Sequence, residues 1–190
     1  MSSGYFVETV FENTDYSLIG LNPGEYEDCT FVNCNLFKID LSAFKFSACN
    51  FKACDLSLVK LIKTSFREVR FNDCKLMGLH FDDCTDLLFS VYFEDCNLNL
   101  SSFYKRKLKK SVFKNCSLRE SDFTESDLSN SIVDNCDLSM AMFENTILEK
   151  ADLRTSFNYT IDPELNRIKK ARFSSAGIIG LLSKYDIEVE

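Results

Sequence analysis

Tryptophan is absent from this 190-residue chain, histidine occurs once, and glycine and proline together number only eight. With His80 the lone imidazole, and with no Ser/His/Asp order, glycine-rich phosphate loop or HExxH motif, no catalytic constellation can be assembled. An enzyme is not expected, nor is a cofactor. Apolar runs are a few residues long, far short of the ~20 that a membrane-spanning helix needs. The opening Met1-Ser2-Ser3-Gly4-Tyr5-Phe6-Val7-Glu8 lacks a basic flank followed by an apolar stretch, so a cytoplasmic protein is expected. Nine cysteines, an odd number without an export signal, then read as reduced thiols. Bases are missing from residues 1–37 and acids from residues 105–119, while residues 120–152 hold nine acids and the single base Lys150. Hydrophobic residues at 45% and charged residues at 27% speak against disorder.

What the chain does have is a period of five. Every fifth residue from Phe6 to Phe81 is Phe, Leu or Tyr, as at Phe31, Phe51 and Phe71. The register slips by two and resumes from Leu88 to Leu153, through Leu118, Phe123 and Leu138, with Val133 the one exception. Two residues before each such position runs a track filled largely by small residues, with Ile39, Phe44, Val59, Val69 and Leu79 larger but still apolar, and all nine cysteines fall on it. The residues between the tracks are mostly Asn, Asp, Ser, Thr or Lys, as in Cys49-Asn50-Phe51-Lys52-Ala53.

Five matches neither the 3.6 of a helix nor the two of a strand. It matches a coil that turns a corner every five residues and closes four sides in twenty. Cysteine spacing supports twenty: Cys34, Cys54 and Cys74 form one column, Cys96, Cys116 and Cys136 a second, Cys29 and Cys49 a third. About seven and a half rungs at ~4.8 Å give a rod roughly 36 Å long. Phe31, Phe51, Phe71, Leu118, Phe123 and Leu138 are expected as its interior ladder. Cysteines five apart lie on different sides and cysteines twenty apart stack in parallel, so neither a tetrahedral metal site nor disulfides are expected.

This unit, a small residue, then Asn or Asp, then Leu or Phe, resembles the pentapeptide-repeat family over residues 6–153. Within it the likeness is to quinolone-resistance and gyrase-interacting members. The resemblance implies an all-β, right-handed quadrilateral β-helix, cytoplasmic and dimeric. It also implies a mechanism in which an acidic rod imitates duplex DNA in the saddle of a type II topoisomerase. The candidate acidic surface is Glu25, Glu27, Asp28, Glu120, Asp122, Glu125, Asp127, Asp134 and Asp137. Against DNA mimicry stand the basic run Lys105-Arg106-Lys107-Leu108-Lys109-Lys110 and columns of mixed sign such as Asp15, Asn35, Asp55 and Lys75. The projecting loops of the resistance proteins are also missing, although a shorter gyrase-binding branch lacks them too. The leading expectation is therefore a scaffold for protein–protein binding, with a topoisomerase regulator as the alternative. Neither direct nucleic-acid contact nor a membrane is expected.

The β-helix is assigned to residues 1–157, with the slip at 82–92 making a kink or a bulge. A capping or dimerisation segment follows over 158–190, because the in-phase positions Asn158 and Pro163 break the pattern. Asp162-Pro163-Glu164 reads as a cap opening a helical turn, and Ala171-Arg172-Phe173 as a last half-unit. A helix capped by Ser175 is expected through Lys184, weakened by Gly177 and Gly180. Its stripe of Ile178, Ile179, Leu181, Leu182 and Tyr185 either plugs the rod or joins two copies in a homodimer. Ile187 and Val189 alternate with acids like a short strand.

Overall fold

The computed structural model describes residues 4–185 together with 187 and 188. The chain winds into a right-handed, four-sided parallel β-solenoid of about seven turns. Its strands are β1 (Gly4–Val7), β2 (Val10–Glu12), β3 (Gly24–Glu27), β4 (Thr30–Val32), β5 (Lys45–Ser47), β6 (Asn50–Lys52), β7 (Ser65–Arg67), β8 (Val69–Asn72), β9 (Val91–Glu94), β10 (Val112–Lys114) and β11 (Ile132–Asp134). The first face stacks β1, β3, β5 and β7; the second stacks β2, β4, β6, β8, β9, β10 and β11. The third and fourth faces are held by single bridges, as in Asp15↔Asn35↔Asp55↔Lys75 and Ser102↔Asp122↔Met142.

The fivefold period follows from the corners. Two residues beyond most inward Phe or Leu residues the backbone takes a positive φ, as at Asn33 (50°), Lys38 (59°) and Asn115 (53°). An L-residue pays roughly 1–2 kcal/mol for that conformation. It is offset because the corner N–H reaches the next coil, Asn33 N donating to Lys52 O at 2.9 Å. Several corners also close on themselves, Ile39 N donating to Leu36 O at 3.2 Å, in the manner of a type II turn.

Inside, the ladder is filled by aromatic stacks. Phe31 and Phe51 lie 4.6 Å apart with rings 5° from parallel, and Phe103 meets Phe113 edge-on at 5.6 Å. Phe31, Phe51, Phe71, Leu118, Phe123 and Leu138 are all buried. The small track has a chemical as well as a steric reason. Most of its thiols and hydroxyls donate to a carbonyl of the preceding coil, as Cys54 Sγ to Phe31 O (3.5 Å) and Thr146 Oγ1 to Phe123 O (2.8 Å). All nine cysteines are free and buried, and burial pushes the Cys49 and Cys84 thiols up to about 12.

Two expectations about the interior are corrected. Bridges run unbroken through Lys75↔Asn97, so Cys34, Cys54, Cys74, Cys96, Cys116 and Cys136 form one column of six and not two of three. The slip lies on another face and merely makes one step of this column longer. Leu88, expected to point inward, is 57% exposed with φ +58°, and Phe89 packs against the core in its place. The two extra residues loop outward there, and the larger ring wins the interior.

Bridging persists beyond Leu153, at Ile147↔Arg167 and Asp152↔Arg172, so that Ile168 and Phe173 still pack on the core. Between them Asp162 caps a single turn, its Oδ1 accepting from Glu164 N at 2.8 Å. The terminal helix is mixed: a 3₁₀ turn over Ala176–Ile178, α2 over Ile179–Leu182 and a second 3₁₀ turn over Ser183–Tyr185, α1 being Tyr16–Ile19 near the start. Its cap is Ser174, whose Oγ accepts from Gly177 N at 3.0 Å, and not Ser175, which makes no side-chain cap. Gly177 and Gly180 are there because a Cβ at either would collide with Tyr159. Ile187 is exposed and carries no strand; Val189 lies outside the described residues.

Candidate interaction surfaces

Outward side chains sit directly before, after and two after each inward residue, so the sequence spreads them over four faces. The nine candidate acids are dispersed accordingly. Glu25, Glu27 and Asp127 lie on the first face, Asp134 on the second, Asp137 on the third and Asp122 on the fourth. Asp28, Glu120 and Glu125 occupy positive-φ corners. Four are paired with bases: Glu25 with Lys45 (2.5 Å), Glu125 with Lys105 (3.5 Å), Asp127 with Lys109 (3.2 Å) and Asp137 with Arg119 (4.0 Å). Asp122, Asp127 and Asp137 also accept from the backbone N–H two residues on, which gives them a turn-forming role. Burial opposes ionisation of Asp127, but hydrogen bonds from Ser129 and Lys109 win and hold its carboxyl below the usual range. Asp134 accepts from Thr155 Oγ1 at 2.6 Å, and Glu27 from the Tyr5 hydroxyl.

The slip at 82–92 forms a bulge on the first face. A 3₁₀ turn over Phe81–Asp83 leads into it, and Leu87 and Leu88 stand out at its tip. What secures it is Arg106, read from sequence as part of an exposed basic run. Arg106 is only 3% exposed. It occupies the small track two residues before Leu108, where the extra loop leaves room for a long side chain. Its Nη1 donates to Cys84 O (2.9 Å) and Asp86 Oδ1 (2.9 Å), and its Nη2 to Thr85 O (2.8 Å). The guanidinium lies 4.3 Å from the Phe89 ring centroid. Lys107, Lys109 and Lys110 remain exposed. Above the bulge the first face holds a groove of about 350 Å³ whose walls include Tyr5, Glu27, Lys63, Arg67, Leu87 and Leu88.

At the C-terminal end Ile178, Ile179 and Tyr185 are about half exposed. Leu181 packs on the core and Leu182 is partly buried. Lys184 joins this segment to the preceding turn through Asp162 (2.7 Å) and Glu164 (2.7 Å), and Tyr185 donates to Glu164 at 2.9 Å. The Lys184 hydrogen bond holds the Asp162 carboxyl below its ordinary value. Among the described residues no helix is long and apolar enough to cross a membrane.

No curated protein sequence matches the chain. Among solved structures it is similar to a trypsin-treated variant of QnrB1, a plasmid-mediated fluoroquinolone resistance protein, at 18% identity, covering 98% of this chain and 92% of that one, with a TM-score of 0.53. It is also similar to HetL from the cyanobacterium Nostoc sp., a pentapeptide repeat protein involved in heterocyst differentiation regulation, at 13% identity over 90% and 85% of the two chains, with a TM-score of 0.60. At these identities the likeness is one of fold. The model of the pentapeptide repeat region matches residues 25–86 and 87–158, and the chain belongs to that family.

Proposed function

We propose that this protein is a non-catalytic scaffold that binds another protein in the cytoplasm through its outward side chains. One contrast supports the reading: the interior repeats with little variation, whereas the outward columns vary more from coil to coil. Asp15, Asn35, Asp55, Lys75, Asn97 and Ser117 follow one another up the third face. Interior positions specify the coil, and outward ones are free to specify a partner. The buried free thiols suit a reducing compartment. Four variants, each neutralising the charged outward residues of one face, test it. The scaffold reading expects a captured partner to be lost from one variant while all four keep their melting temperature. Equal retention by all four would overturn it.

The C-terminal stripe is proposed as a two-fold contact between copies, since Ile178, Ile179 and Tyr185 stay exposed while Leu181 seals the rod. Ile178→Asp with Ile179→Asp then gives monomers in sedimentation velocity, and an unchanged dimer moves the interface elsewhere. A second reading, a DNA-mimic regulator of a type II topoisomerase with a role in quinolone tolerance, draws support from the first coils. There Glu8, Glu12 and Asp28 are exposed and form no ion pair among the described residues. Carboxylates at phosphate-like spacing suit a basic saddle, and such binding weakens with salt.

A further inference from the structure

Folding sorts the charges of the first face into two halves. Below the bulge, parallel pairing places Lys107 over Asp127, Ile147 and Arg167. Hydrogen bonds between successive coils set Lys110 N on Ser129 O, Asn130 N on Glu149 O and Lys150 N on Lys169 O. Residues 109, 129, 149 and 169 therefore stack in one column and 110, 130, 150 and 170 in the next. Lys107, Lys109, Lys110, Lys150, Arg167, Lys169 and Lys170 are all exposed there. The two acids of the same region are engaged, Asp127 by Lys109 (3.2 Å) and Glu149 by Arg167 (2.6 Å). Lys107, Lys110, Lys150, Lys169 and Lys170 form no ion pair among the described residues. Five unpartnered ammonium groups are thus concentrated on a chain whose net charge is −7.

We infer that this half of the first face is a docking surface for duplex nucleic acid, held through its backbone phosphates without sequence preference. Three coil steps of ~4.8 Å make the patch about 14 Å long, and three residues across at ~3.3 Å make it about 10 Å wide. A duplex carries one phosphate per ~1.7 Å of axis, so ~14 Å presents about eight. Half of these face one side, close to the number of free lysines. Lysine offers a point charge and not a base-reading fork, which favours backbone contact. No aromatic ring stands among these lysines to stack a base, as a single-strand site requires. Nor is there the apolar stripe with which a membrane-surface element enters a bilayer. The acids at its borders are engaged as well, Asp152 by Arg154 (2.8 Å) and Arg172 (3.6 Å) and Glu125 by Lys105 (3.5 Å). The inference runs against the sequence-based expectation of no direct nucleic-acid contact. The inference is independent of the scaffold proposal, because it concerns one patch and a different class of partner.

The test is fluorescence anisotropy of a labelled duplex of about 20 base pairs with the full chain, at about 50 and about 200 mM salt. Five released counterions predict a slope of about −4.5 in log affinity against log salt, which is about 500-fold weaker binding across that interval. Replacing Lys110, Lys150 and Lys170 with Gln should cut the slope to about −1.8 without moving the melting temperature. Absence of binding at the lower salt would overturn the inference, as would a triple variant that keeps the wild-type slope. Tighter binding to single strands, or binding to vesicles of zwitterionic and anionic phospholipid in place of the duplex, would overturn it equally.

Discussion

Replacing Arg106 with Ala removes the group that ties the two-residue insertion to the coil. The guanidinium is buried, so the carbonyls of Cys84 and Thr85 lose their charged donor, and each buried acceptor left unmade costs about 1–3 kcal/mol. The contact with Phe89 adds about 0.5–2 kcal/mol. The pair with Asp86 adds little, because the Asp86 side chain is 71% exposed and screened by solvent. The total is about 2.5–8 kcal/mol, which for a domain of this size lowers the melting temperature by about 5–30 °C. A double-mutant cycle sharpens the test. Deleting Thr85 and Asp86 leaves Cys84-Leu87-Leu88-Phe89-Ser90, a regular unit with Leu88 inward, provided that the slot at 106 is small. Arg106→Ser combined with that deletion should therefore be more stable than the sum of the single changes by about 2 kcal/mol or more in urea unfolding. A loss below about 1 kcal/mol for Arg106→Ala, or strict additivity in the cycle, would refute the reasoning.

Phe71→Ala and Phe123→Ala each remove a ring stacked above and below, and chemical denaturation should show a loss of about 3–5 kcal/mol. A Cβ at Gly177 meets the Tyr159 hydroxyl, so Gly177→Ala should raise hydrogen exchange across 174–185 while the rest of the coil stays protected. The Asp162 carboxyl is lowered by its hydrogen bond from Lys184, so its stabilisation is complete above the ordinary aspartate value of about 3.9 and is lost as pH falls through the lowered folded value. Melting curves between about pH 5 and pH 2 should be flatter for Asp162→Asn than for the native chain; identical curves would show that this pair contributes nothing.

The coil was legible because burial repeats every five residues and needs only a count of Phe and Leu. The corner conformation was less so, since a positive φ at Lys38 or Leu58 is imposed by ladder bonds to the next coil and not by the residue type. Arg106 carried a visible signal, being the one long charged residue on the small track, yet its neighbours disguised it as part of a basic surface. Leu88 misled for the opposite reason: strict phase made it interior, although a bulge lets the chain choose, and Phe89 buries more area. The lysine half-face is spread over more than sixty residues and becomes one surface only after the coil is closed. The dispersal of the acids is equally a product of winding, because neighbours in sequence five apart face different directions.

The most direct test of the scaffold reading is a DNA gyrase supercoiling assay with the purified chain, with and without a fluoroquinolone. The assay should include the variant in which Lys110, Lys150 and Lys170 are Gln, so that capture of the DNA substrate by the basic half-face is separated from action on the enzyme. The scaffold reading predicts that this variant, well in excess of gyrase, neither inhibits supercoiling nor relieves the drug. Salt-sensitive inhibition or drug rescue by that variant, abolished when Glu25, Glu27 and Asp28 are neutralised, would contradict it and make the topoisomerase the partner.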